Sequence, residues 1–148
     1  MTSASDYLNR VYKVIGHDPG KKGKIDFSIH WDSIAEAKIL LIEVRNKQKQ
    51  LRLIKKDIGF EIKKISYQYE DEASSVSPGF GASLFLGKGT AKSLAASKKR
   101  QIRDQKRNNV QPYEAVKRLI DEIILKYDIA KFEITQWIDD YKEIPSDI

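Results

Sequence analysis

IAEAKILLIEVRNKQKQLRLIKKDIGFEIKKISYQYEDE, residues 34–72, is the stretch on which the fold turns. It contains no proline. Steps of alternately three and four residues pick out Ile34, Ala37, Leu41, Val44, Gln48, Leu51, Lys55, Ile58, Ile62, Ile65 and Tyr69. Only a helix brings such positions onto one side. Sustained for about five heptads, the pattern is a coiled-coil seam. At 1.5 Å per residue the helix would be about 58 Å long, beyond the usual length in a globular domain. Ser33-Ile34-Ala35-Glu36 reads as a capping box, so the helix is expected over 32–72. Gln48 and Lys55 are polar seam positions that set register. Gly59 costs about 1 kcal/mol in a helix and marks an expected bend.

A second seam runs through Tyr113, Val116, Ile120, Ile123, Tyr127, Ala130, Ile134, Trp137 and Tyr141. Pro112 suits the first turn of a helix over 112–144, and Pro145 closes it. Two seams in one chain predict an antiparallel hairpin. With Trp137 opposite Ile34, paired residue numbers add to about 171. Leu41 then meets Ala130, Val44 meets Tyr127, Leu51 meets Ile120 and Ile58 meets Tyr113. Trp31 falls beside Trp137 and Tyr141 as an aromatic base. Glu70, Asp71 and Glu72 fall near Lys98, Lys99 and Arg100. A parallel homodimer of the first helix is the rival arrangement, since heptads alone do not choose orientation.

Ahead of the hairpin, residues 1–31 form a small N-terminal element. DYLNRVYKVI, 6–15, reads as a short helix stopped by Gly16, or as a strand rich in Val, Tyr and Ile. IDFSIHW, 25–31, alternates apolar Ile25, Phe27, Ile29 and Trp31 with polar Asp26, Ser28 and His30, which predicts a strand. A lone strand needs a partner, either residues 11–15 or a second chain. The expected class is therefore mainly α: a long antiparallel coiled-coil hairpin with a small N-terminal α/β or β element and a glycine-rich tip. Its hairpin occupies 32–144, with the tip loop at 73–90 and a basic helix at 91–108 ended by Asn108-Asn109.

The tip, SPGFGASLFLGKGTAKS at 77–93, sets Phe80, Leu84, Phe85 and Leu86 among four glycines. It is not a phosphate loop: Gly81 and Gly87 are one residue too far apart, and Gly89 stands where Ser or Thr should follow Lys88. Folding back over seam ends such as Ile65 and Tyr69 gives these side chains a core. Docking a protein partner ranks next, and dipping into an anionic membrane surface, with Lys88 and Lys92 on the headgroups, ranks last.

Charge is uneven along the 148 residues. The net is +6 overall, +6 over 91–111 alone and −4 over 112–148. Lys98, Lys99, Arg100, Arg103, Lys106 and Arg107, with Lys92, make a basic block able to neutralise phosphates of RNA or DNA. Arg45, Lys49, Arg52, Lys56 and Lys63 make a second stripe of about 27 Å on the first helix. Against nucleic acid stand the acidic partner helix (Asp121, Glu122, Asp128, Glu133) and the lack of interleaved aromatics for base stacking.

Chemistry has little to stand on. Cysteine is absent, which removes disulfides, thiol nucleophiles and Cys-based metal sites. His17 and His30 find no third ligand at metal-site spacing. Asp139 and Asp140 point in different directions on a helix, and the tyrosines at 67, 69, 113, 127 and 141 belong to seam packing. No apolar run approaches a membrane span, and MTSASDYLNR lacks a secretory pattern. The expectation is a cytoplasmic, non-enzymatic scaffold or adaptor without cofactor, metal or small-molecule substrate. Its contacts would be the tip residues Phe80, Leu84, Phe85 and Leu86 and the N-terminal element, toward a protein partner or further copies of itself. A nucleic-acid-binding module using 92–107 is the alternative, and peripheral membrane binding through the tip the second.

Overall fold

The computed structural model describes residues 2–17, 27–75 and 88–143, with side chains described throughout except at 72–75, 88–93 and 143. These residues form three helices and no strand: α1 (Ala4–Ile15), α2 (Ile34–Ser75) and α3 (Lys88–Glu143). The protein is thus mainly α. No helix among the described residues is long and apolar enough to cross a membrane. The described residues divide into two compact units, one drawn from Thr2–Asp57 and Val116–Ile148, the other from Ile58–Ala115.

In the first unit, residues 4–15 are helix rather than strand because both ends are secured. The Ser3 hydroxyl accepts from the Asp6 N–H at 3.1 Å, and the Asp6 carboxylate accepts from the Ser3 N–H at 3.2 Å. Gly16, at φ 72°, takes the left-handed conformation that ends the helix, and the His17 N–H donates to the Tyr12 carbonyl at 2.9 Å. Tyr7 and Val11, one turn apart, are buried.

The strand expected at 25–31 is corrected over its described part: residues 27–31 form neither strand nor helix. Residues 11–15 are taken by α1, so no ladder partner remains there. The alternation still marks burial. Phe27, Ile29 and Trp31 are half-buried while Ser28 and His30 are exposed. Phe27 meets Tyr127 edge to face at 5.7 Å, with the Lys126 ammonium 4.8 Å from its ring centre. Ile29 and Trp31 pack on a core of Ala37, Leu41, Ile134 and Ile138, together with Ile34, Leu40 and Trp137. The aromatic base is present: Trp31 meets Trp137 edge to face at 6.0 Å, and Trp137 stacks on Tyr141 at 5.0 Å.

At the start of α2 the Ser33 hydroxyl accepts from the Glu36 N–H at 3.2 Å. The Glu36 carboxylate reaches one residue further than a capping box requires, accepting from the Asp32 N–H at 2.8 Å. Buried residues then follow the seam through Val44, Gln48 and Leu51, and Val116, Ile120, Ile123 and Tyr127 of α3 are buried in the same unit. Contacts run antiparallel here: Trp31 to Trp137, Gln48 to Ile124 and Asp128, Lys55 to Asp121. At 54–55 the seam changes side. Ile54 is buried, while Lys55, expected in the seam, stays half-exposed with its ammonium 2.6 Å from Asp121. A cation reaches its partner at the rim, and the neighbouring isoleucine takes the apolar place.

In the second unit Ile58 and Ile65 of α2 and Ile102 and Tyr113 of α3 are buried. Gly59 lies inside α2 without ending it. Glu61 is buried where Ile62 was expected, and its Oε2 has no hydrogen-bond partner. The break expected between 108 and 112 is absent: α3 is one helix with Pro112 inside it. Proline removes one helical N–H and costs about 3 kcal/mol in a helix interior. Packing offsets that cost, because Ile102, Lys106, Asn109 and Tyr113 keep the seam spacing straight through the segment. Lys106 pairs with Glu70 at 3.7 Å, and the Asn109 amide donates to the Tyr69 hydroxyl.

Candidate functional site

The sequence nominates two sites. The first, Phe80, Leu84, Phe85 and Leu86, lies outside the described residues, as do the side chains of Lys88 and Lys92. The second is the basic block on α3. Lys98, Arg100, Arg103 and Arg107 are exposed, and Lys99 and Lys106 are half-buried. The expected match between the acidic end of α2 and residues 98–100 is corrected for Glu70, which pairs instead with Lys106. The pairing lies closer to Pro112 because α3 continues unbroken and its seam faces α2 there. Four strong cations therefore remain on the surface of one helix. On α2, Arg45, Lys49, Arg52, Lys56 and Lys63 are all exposed, and the Lys63 ammonium lies 5.8 Å from the Phe60 ring centre.

A third surface went unread in the sequence. Ile39, Ile42 and Leu53 of α2, and Leu125, Ile129 and Phe132 of α3, are each more than half exposed in the first unit. In the second unit Phe60 and Tyr67, one heptad apart, are exposed as well. These residues keep the three-and-four rhythm of the seam but sit half a turn away from it. On α2 the outer series is Ile39, Ile42, Asn46, Lys49, Leu53, Lys56; on α3 it is Arg118, Glu122, Leu125, Ile129, Phe132. A solvated helix face is ordinarily polar, whereas both helices carry large apolar side chains on two sides. The signal was available as a second heptad register in the same stretch that supplied the first.

The polar groups beneath these faces are structural. Gln48 is fully buried and donates from Nε2 to the Ile124 carbonyl at 3.0 Å and to Asp128 at 2.8 Å, leaving its Oε1 without a partner. That hydrogen bond, with a second from Lys131, holds the Asp128 carboxyl below its ordinary value. Hydrogen bonds from Ser3 do the same for Asp6, and burial raises the Tyr127 phenol. The His17 ring lies 5.0 Å from that of Tyr12, and His30 is exposed ahead of α2. Among the described residues no group of three or more acidic, histidine or cysteine side chains is placed to hold a metal.

No protein-family model matches the chain, and neither a curated protein nor a solved structure matches it.

Proposed function

We propose that this chain is a non-enzymatic helical scaffold or adaptor that works by docking another protein chain. In this reading α2 and α3 are the arms of an antiparallel coiled-coil hairpin in the cytoplasm. One observation carries it: six large apolar side chains of the first unit, from Ile129 at 52% exposed to Phe132 at 65%, stand in register on the outer sides of both helices. Large apolar side chains grouped on a surface mark contact sites more often than ones scattered singly do. The tip residues Phe80, Leu84, Phe85 and Leu86 are a further contact proposed from sequence. The test is affinity capture from the source cell with wild type, an Ile42→Glu, Phe132→Glu variant and a Phe80→Ser, Leu84→Ser, Phe85→Ser variant. The reading expects a defined protein lost with the outer-face variant, the tip variant, or both. A captured set unchanged by both contradicts it.

A second reading, nucleic-acid binding through the basic block, is favoured by the exposure of Lys98, Arg100, Arg103 and Arg107. Phosphate binding releases counterions, so affinity for a short duplex or single strand should fall steeply between low and physiological salt. Lys98→Gln, Lys99→Gln, Arg100→Gln, Arg103→Gln should abolish it. Affinity indifferent to both removes the second reading and leaves the first untouched.

A further inference from the structure

The outer stripes of the first unit differ in charge. Residues 34–57 of α2 carry seven basic and three acidic side chains, net +4, and residues 116–143 of α3 carry five basic and seven acidic, net −2. Within the outer series themselves, α2 offers Lys49 and Lys56, whereas α3 offers Glu122 together with Arg118. One stripe is apolar with cations only and the other apolar with a cation and an anion, on opposite sides of one pair of helices. A surface of that kind complements a second copy of itself.

The register agrees. Set the α2 stripe of one copy antiparallel to the α3 stripe of another with Ile39 opposite Phe132. Ile42 then faces Ile129, and Lys49 faces Glu122. Leu53 faces Arg118, whose aliphatic stem covers apolar surface while its charge stays wet. Asn46 opposite Leu125 is the one mismatch. In this setting paired residue numbers add to about 171, within the range of the contacts inside the chain, where Trp31 meets Trp137 and Lys55 meets Asp121. A neighbouring copy therefore needs no turn and no slide along the helix axis. It steps sideways, and its α3 lies beside α2 as the chain's own α3 does on the other side.

We infer that copies of this chain associate side by side, the outer face of α2 on one copy packing against the outer face of α3 on the next. The inference rests on the docking reading above and names its partner. Such a contact is heterologous: each copy uses one face and leaves the other open, so growth continues past the dimer until a ring closes or a filament forms. Lys49 against Glu122 fixes orientation and disfavours α2 against α2, where cations would meet.

The test uses the purified full-length chain and two face-blocking variants, Ile42→Glu and Ile129→Glu, both at exposed positions. Sedimentation is followed up to a concentration on the order of 100 µM, where weak interfaces assemble, with helicity checked by circular dichroism. Wild type should grow beyond two copies. Each variant alone should stay monomeric. Mixed in equal amounts they should form dimers and stop there, because one good interface survives between the Ile42 face of one variant and the Ile129 face of the other. Lys49→Glu should weaken association about tenfold, and adding Glu122→Lys in the same chain should restore it. A wild type that remains monomeric overturns the inference, as does a mixture without dimers or a Lys49→Glu defect that Glu122→Lys does not repair. A monomeric wild type whose outer-face variant still loses a protein from the cell leaves the docking reading standing with a different partner.

Discussion

The two compact units bury the same kind of seam by different means. In the first, α1 and residues 27–31 join α2 and α3, and six of the seven largest fully buried side chains lie there: Val11, Gln48, Leu51, Ile120, Ile123 and Ile134. In the second, among the described residues, α2 and α3 have only each other, and Ile58 alone is buried to that degree. Two helices share a strip of core but leave its edges open, and another element is needed to close them. The buried polar groups follow the same division. Gln48 and Glu61 each leave one oxygen without a partner, but the Gln48 amide nitrogen donates two hydrogen bonds to α3, whereas the other Glu61 oxygen lies 3.9 Å from Lys64 on its own helix.

Core truncation should separate the units most strongly. Ile134→Ala, at a fully buried site, should cost about 3–4 kcal/mol in urea unfolding, within the range for such cavities. Ile102→Ala, at the edge of the second unit's core, should cost about half that. Equal losses would break the contrast. Next come the buried polar groups. Glu61→Met removes a buried carboxylate lacking a full set of partners and should stabilise by about 1–2 kcal/mol. Gln48→Leu should come out near neutral, since it forfeits two hydrogen bonds while removing one orphaned acceptor. A Gln48→Leu gain larger than that of Glu61→Met would reverse the ranking. Gly59→Ala should add about 0.5–1 kcal/mol, because the site is helical and a Cβ meets open space.

The smallest expected effect is acid sensitivity in the first unit. The hydrogen bonds from Gln48 and Lys131 lower the Asp128 pKa from its ordinary 3.8, so the unfolded chain takes up that proton before the folded one does. The resulting stability is complete above the ordinary value and is lost as pH falls from about 3.8 through the lower folded value. Asp128→Asn should flatten this part of a stability-against-pH curve. A curve unchanged by the substitution would show that the hydrogen bonds do not carry it.

Much of this fold was legible because a heptad repeat is a physical constraint that few alternatives satisfy. The α2 seam, the Ser33 cap and the Trp31–Trp137–Tyr141 base all followed from spacing. Pro112 misled because its local cost is certain while the burial of Ile102 and Tyr113 on either side of it is tertiary. Residues 27–31 misled differently: alternation reports burial on one side, and lying against helices satisfies it as well as a sheet does. The outer stripes were hidden because a helix apolar on two sides yields two valid registers. Periodicity does not say which is buried, and only the partner's position decides it. Lys55 and Ile54 repeat that lesson at the scale of one residue.

The account turns on whether the outer face of the first unit is covered in the cell. A photo-crosslinking amino acid at Phe132, with a matched probe at the exposed polar position Gln136, addresses it directly. Irradiation of living cells should give a discrete protein adduct from position 132, of twice the chain's mass where the neighbour is another copy, and a weaker one from position 136. Position 132 giving no protein adduct, at an expression level where the folded chain is present, would contradict the claim that this face is a docking surface.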